Sequence, residues 1–198
     1  MKLVWQGTDA YLMHSFLPHM SSGWKLKTIL MRLLVWILDS YFDLKHEVVS
    51  ENLIKDLSKA GITNIVSIRP DLLEYPKRIQ KVEHEFYNIL YYDLSIVRKN
   101  KKSLRWLYGI DIIEKVMELL QPYENIQFIR VDGNQNMNEI YPITDFLIRP
   151  NRHDGISRMV MEAEIQEIEY YWSQENPENP ERITEIILKA YNKWKLKY

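Results

Sequence analysis

Over the first 70 residues, apolar positions fall into short extended runs and longer periodic ones. Leu3 to Trp5 reads as an extended start, Trp24 to Ser40 as a long helix, and His46 to Val49 as a strand. The next helix has Ser50 at its N-cap, Leu53, Ile54 and Leu57 on one face, and Gly61 where a left-handed C-terminal residue belongs. Ile65 to Ile68 reads as a strand and closes a strand-helix-strand unit. Asp71 to Val82, rich in charge and bounded by Pro70 with Pro76 inside it, reads as a connector.

The alternation continues beyond it. Tyr87 to Tyr92 is a buried strand, Leu107 to Leu120 is amphipathic, and Ile126 to Val131 and Phe146 to Ile148 are strands. Ile156, Met159, Val160 and Ala163 recur at spacings of three and four, the mark of a helix face. Ile168 to Trp172 is a further strand, and Pro180 after Asn179 opens a helix that runs to about Trp194. Strands separated by helices imply parallel pairing with helices on both faces, so the pattern predicts an α/β, Rossmann-like chain. No internal repeat or low-complexity tract interrupts it.

One run departs from amphipathic patterning. Ile29 to Leu38 is apolar except for Arg32 and is too short to span a bilayer, which takes about 18 to 20 residues. Two readings fit it. It is a helix buried on nearly all sides, or, with Lys25, Lys27, Trp24 and Trp36 close by, a helix lying in a membrane interface.

Composition narrows the function. The 198 residues are 46% hydrophobic and 27% charged, which places the chain among ordinary globular proteins. A net charge of -1 supplies no field to attract nucleic acid, so no nucleic-acid partner is expected. Cysteine is absent, which excludes disulfides, thiol nucleophiles and thiolate zinc sites. The opening MKLVWQGTD does not read as a signal peptide, so a cytoplasmic protein is expected.

Several common site types have no anchor. The six glycines build neither a Walker loop nor a dinucleotide fingerprint, the five histidines lack metal-ligand spacing, and no serine sits in a GxSxG elbow. The segment that stands out is FLIRPNRHDGISRMVME, Phe146 to Glu162. A strand ends at Arg149-Pro150, a polar loop follows, and a helix begins directly afterwards, the place where ligands bind in open α/β sheets. Free N–H groups at Gly155, Ile156 and Ser157 would favour an anion, most simply a phosphate, with Arg152 and Arg158 adding charge-assisted contacts. Asp154 sits just before this helix and Glu162 about two turns along it. The plainer reading is a strand-helix junction with Asp154 as N-cap and Glu162 in solvent.

RPNRHDGISRMVMEA resembles the donor-site segment of GT-B glycosyltransferases, above all the retaining family 4 group, in which two acidic residues separated by seven others are followed by alanine. Asp154 stands where most members have glutamate; Glu162 and Ala163 match. Upstream pieces fall in family order: Asn88 to Tyr92, basic residues from Arg98 to Arg105, Tyr108-Gly109-Ile110-Asp111, Phe128 to Gly133, and Glu139-Ile140-Tyr141-Pro142 before Thr144-Asp145. Gly7-Thr8-Asp9 and Val48 to Ile62 resemble the closing part of the family's N-terminal domain.

The resemblance implies a GT-B-like fold with an abbreviated N-terminal, acceptor-side part over 1–85 and a nucleotide-sugar donor domain over 86–198. It implies sugar transfer from a nucleotide diphosphate with retention and without a metal or other cofactor. Glu162 would take the ribose hydroxyls, with Asp154, His153, Gly155 and the rest of the loop against sugar and diphosphate. Arg98 and Lys102 would neutralise the leaving diphosphate, with Lys99, Lys101 and Arg105 as competing candidates. The acceptor is not identified; a lipid-linked or protein glycan at the membrane fits.

Two departures bear on this. The acceptor-side half is much shorter than the family's, and Ser173-Gln174-Glu175-Asn176-Pro177 replaces the glycine-rich loop that usually helps hold the donor. A curtailed sheet leaves apolar surface, including the Ile29 to Leu38 helix, for a second subunit or a membrane to cover. The competing function is a non-catalytic nucleotide-sugar or partner-binding module. A metal-dependent GT-A transferase ranks last, because no Asp-x-Asp occurs.

Overall fold

Short apolar runs joined by helical crossovers form two parallel sheets in a computed structural model that describes residues 2–5, 8–42, 44–68, 77–95, 101–155 and 157–196. The chain divides into two compact units, Met1–Glu74 with Asp154–Ile156, and Tyr75–His153 with Ser157–Tyr198.

The first unit holds β1 (Lys2–Trp5), α1 (Thr8–Leu12), α2 (Ser22–Phe42), β2 (Lys45–Val48), α3 (Glu51–Lys59) and β3 (Ile65–Ser67), with strand order β1-β2-β3. All pairings are parallel, with Leu3 opposite His46 and Glu47 opposite Val66. Its core joins Trp5, Ala10, Val35, Val48, Leu53 and Leu57. Ser50 holds the N-cap backbone position of α3, but its hydroxyl makes no cap hydrogen bond. Gly61 ends that helix at φ +83°, as its place in the sequence predicts.

The helix buried on nearly all sides is not what forms. Only Thr28 and Val35 of α2 are buried, while Leu26, Leu30, Leu34 and Trp36 are 56 to 66% exposed. A three-stranded sheet offers too little floor to enclose a 21-residue helix. Arg32, the one charge in the apolar run, lies on the inward seam. Its Nε donates to the Leu12 carbonyl at 2.6 Å and an Nη to the Ser15 carbonyl at 2.5 Å, satisfying acceptors at the end of α1.

The second unit holds β4 (Tyr87–Tyr92), α4 (Lys101–Leu107), α5 (Ile110–Leu120), β5 (Ile126–Val131), α6 (Met137–Ile140), a 3-10 turn at Tyr141–Ile143, β6 (Phe146–Pro150), α7 (Arg158–Ile165), β7 (Glu169–Ser173) and α8 (Pro180–Lys195). Strand order is β5-β4-β6-β7, all parallel. Period-2 alternation splits the side chains between two cores. Tyr87, Ile89, Phe146 and Ile148 face α5 and α8, whereas Leu90, Leu147 and Val131 face α7 and the turn around Tyr141.

The amphipathic stretch predicted over Leu107 to Leu120 forms as α5, with Leu107 ending the helix before it. Gly109 separates the two helices at φ +62°, and a Cβ there would run into the Pro150 carbonyl, so only glycine lets α5 start this close to the end of β6. The basic run upstream is helical from Lys101, with Lys101 and Lys102 exposed. Lys77 to Val82, within the segment read as a connector, is tied into the second unit. Ile79 N donates to Gln166 Oε1 at 2.8 Å and Val82 N to the Pro142 carbonyl at 3.0 Å.

Candidate functional site

The order β5-β4-β6-β7 reverses direction between β4 and β6, so the carboxyl ends of those two strands form the switch point where open α/β sheets place ligands. The loop after β6 starts there, as its sequence predicts. The helix behind it starts later than expected: Ser157, buried, is the N-cap, its hydroxyl accepting from Val160 N at 3.4 Å, and α7 begins at Arg158. Asp154 therefore does not cap the helix; it is half-buried, with His153 and Gly155 buried on either side.

Glu162 is not in solvent either. It is 6% exposed, one turn into α7. Its Oε2 accepts from the Tyr141 hydroxyl at 2.5 Å and its Oε1 from Arg158 Nε at 2.7 Å. Burial, and then the Glu162 carboxylate, push the Tyr141 hydroxyl well above the ordinary phenol range, so it stays a donor. Two charge-assisted bonds compensate a carboxylate that burial would otherwise penalise. Each oxygen keeps a second lone pair. Arg158, 62% exposed on its side chain, lies on the outer side of the group.

Arg152 is directed elsewhere. Its two Nη atoms grip both oxygens of Asp111 at 2.7 and 2.6 Å, one also reaches the Trp106 carbonyl at 2.7 Å, and the guanidinium lies 5.5 Å over the Trp106 ring. The Arg152 amide donates to the Leu107 carbonyl at 2.9 Å. These bonds fasten the loop to the start of α5. Burial raises the Asp111 carboxyl, but the Arg152 hydrogen bonds and charge outweigh it and hold the group below the ordinary carboxylate range.

Of the remaining predicted residues, Lys102 is exposed on α4, while Arg98 and Ile156 lie outside the described residues, as does Lys99. Arg105 is paired with Glu114 at 2.6 Å. The structure thus brings Ser157, Arg158 and Glu162 together on α7 and sends Arg152 to α5. Among the described residues, no cluster of three His, Asp or Glu side chains able to hold a metal occurs.

Two residues take positions that the sequence does not show. Tyr141 had no assigned role, and only the fold brings it 21 positions along to Glu162. Arg149, at the end of β6, places its guanidinium 5.7 Å from the Tyr92 ring and 5.8 Å from the Tyr108 ring, at the switch point itself.

A cavity of about 620 Å³ opens at the carboxyl edge between the starts of α5 and α8, with Trp106, Asp111, Arg152, Asn176 and Asn179 in its wall. Glu162 does not line it, since α7 packs on the other face of the sheet. A second, of about 530 Å³, lies at the amino edge beside Lys81, Tyr87 and Asp145. There Asp145 Oδ2 accepts from His84 Nε2 at 2.7 Å and from Asn88 N at 2.9 Å, pinning the entry to β6.

No family model and no curated protein matches the chain. Among solved structures it is similar to a glycosyltransferase of Rickettsia africae ESF-5, at 15% identity and a TM-score of 0.42 over 75% of this chain and 53% of that one. The chain spans about half the length of that neighbour.

Proposed function

We propose that the chain is a glycosyltransferase that moves a sugar from a nucleotide-diphosphate donor to a lipid-linked or protein-borne glycan, with retention at the anomeric carbon and without a catalytic metal. The observation that carries this reading is Glu162: a carboxylate buried one turn into the helix that follows the switch-point strand, in the RHDGISRMVMEA segment. A carboxylate with both oxygens held in a fixed plane suits a pair of vicinal hydroxyls, such as those of a ribose. In this reading Arg158 swings aside to admit them. Asp154 with Gly155, Ile156 and His153 meets sugar and diphosphate, and Lys102 with Arg98 meets the charge that develops on the leaving diphosphate.

A second reading, a non-catalytic nucleotide-sugar binding module, is favoured by Arg152, whose charge is already matched by Asp111. Release of nucleoside diphosphate separates the two. The purified chain would be incubated with UDP-, GDP-, ADP- and dTDP-sugars, with and without a lipid extract, and the anomeric configuration of any product read by NMR. Release that the chain accelerates and that Glu162→Gln and Lys102→Gln both lose supports the enzyme; donor binding without release supports the module; neither binding nor release removes both.

A further inference from the structure

We infer that α2 is a membrane-binding helix that lies flat in the interface of an anionic bilayer, its outward face among the acyl chains and its lysines at headgroup level. The inference stands apart from the donor site and does not depend on glycosyl transfer. At 100° per residue, the buried and half-buried positions Thr28, Met31, Arg32, Val35, Leu38 and Asp39 form one narrow seam toward the sheet. The opposite arc carries Leu26, Ile29, Leu30, Leu33, Leu34 and Ile37, from 37 to 59% exposed. Together with Trp36 it spans about 160° of the helix surface, wider than the two-residues-in-seven seam of a two-stranded coiled coil.

Charge selects the occupant. Lys25 and Lys27 stand on opposite borders of the arc, and no exposed residue between Thr28 and Leu38 is charged. The helix has one acidic residue, Asp39, and its carboxylate accepts from buried His46 at 3.0 Å on the inward side. In a symmetric pairing of two copies, each lysine would meet a face with no carboxylate to match it. Anionic headgroups supply that charge. Trp36 lies on the Lys25 border, a position suited to the headgroup layer, and the Lys27 ammonium lies 5.5 Å from the Trp24 ring. No helix among the described residues is long and apolar enough to cross a membrane, so lying in the plane is the mode open to α2.

The test is co-sedimentation with vesicles of phosphatidylcholine alone and of phosphatidylcholine mixed with phosphatidylglycerol, with tryptophan emission followed in parallel. Binding to the anionic vesicles, weakened by salt and accompanied by a blue shift, is expected. Lys25→Gln with Lys27→Gln should weaken it about thirtyfold. Leu30→Glu with Leu33→Glu should abolish it while circular dichroism and melting temperature stay those of the parent, because both positions face outward. Absence of vesicle binding overturns the proposal, as does equal binding to neutral and anionic vesicles. So does a parent dimer that the double glutamate variant turns into monomer without any vesicle binding.

Discussion

Both sheets are parallel and built from strand-helix-strand units, yet their helices are used differently. In the four-stranded sheet, α5 and α8 cover one face through Ile113, Val116, Ile183 and Ile187, all at most 1% exposed, and α7 covers the other through Val160 and Ala163. In the three-stranded sheet, α2 is the longest helix of its unit and contributes little more than Val35 and half-buried Met31 to the core. Neither helix propensity nor apolar content separates the two cases. The contrast is particular to α2: α3, in the same unit, buries Leu53 and Leu57 completely, whereas α2 buries only Thr28 and Val35 along 21 residues.

That contrast is sharpened most by Ile148→Ala, in the middle of the four-stranded sheet at 0% exposure, which should destabilise by about 4 kcal/mol in urea unfolding. Gly109→Ala should cost about 3 kcal/mol, through left-handed strain and collision with the Pro150 carbonyl. Arg152→Gln comes next, at about 1 kcal/mol, because the Asp111 side chain is 55% exposed and solvent screens the pair. Its effect depends on pH. Asp111 is held below its unfolded value, so the stability it contributes is complete above the ordinary carboxylate range and is lost as pH falls through the folded value. The variant should therefore approach the parent at strongly acidic pH and differ most at neutral pH. Leu30→Ala on α2, 56% exposed, should change stability by no more than about 0.5 kcal/mol. A loss there comparable with that of Ile148→Ala would break the comparison.

The strands were legible because their signals are local: Leu3 to Trp5, Tyr87 to Tyr92 and Ile126 to Val131 are short apolar runs between polar turns, and all three form. Pro180 after Asn179 marks the start of α8 correctly, with the Asn179 side chain accepting from Arg182 N. What escaped was set by distant partners. Nothing near Arg152 signals that Asp111, 41 positions away, will claim it, and nothing near Glu162 signals Tyr141. Gly109 was visible just before α5, but the need for glycine there depends on how closely Pro150 approaches. Ser157 and Asp154 are both good N-caps by type, and the length of the loop decided between them. The run Ile29 to Leu38 left open whether α2 is enclosed; the exposure of Leu30, Leu33 and Leu34 excludes a helix buried on nearly all sides.

Glu162 is where the functional account is most exposed to test. From sequence, Glu162→Ala should spare stability. The structure changes that expectation: removing a buried carboxylate strands the Tyr141 hydroxyl and should cost about 1–3 kcal/mol. Glu162→Gln keeps an oxygen to accept from Tyr141, while it removes the charge and turns the oxygen facing Arg158 into an NH2, so it is the variant to compare. The decisive measurement is a thermal-shift titration of parent and Glu162→Gln with UDP-, GDP-, ADP- and dTDP-sugars, since a ligand that binds only the folded state stabilises by about 2.7 kcal/mol at a hundredfold excess over its Kd. The account predicts that one nucleotide class raises the melting temperature of the parent and leaves a folded Glu162→Gln unmoved. A parent that no donor shifts, or a variant that shifts as far as the parent, would contradict it.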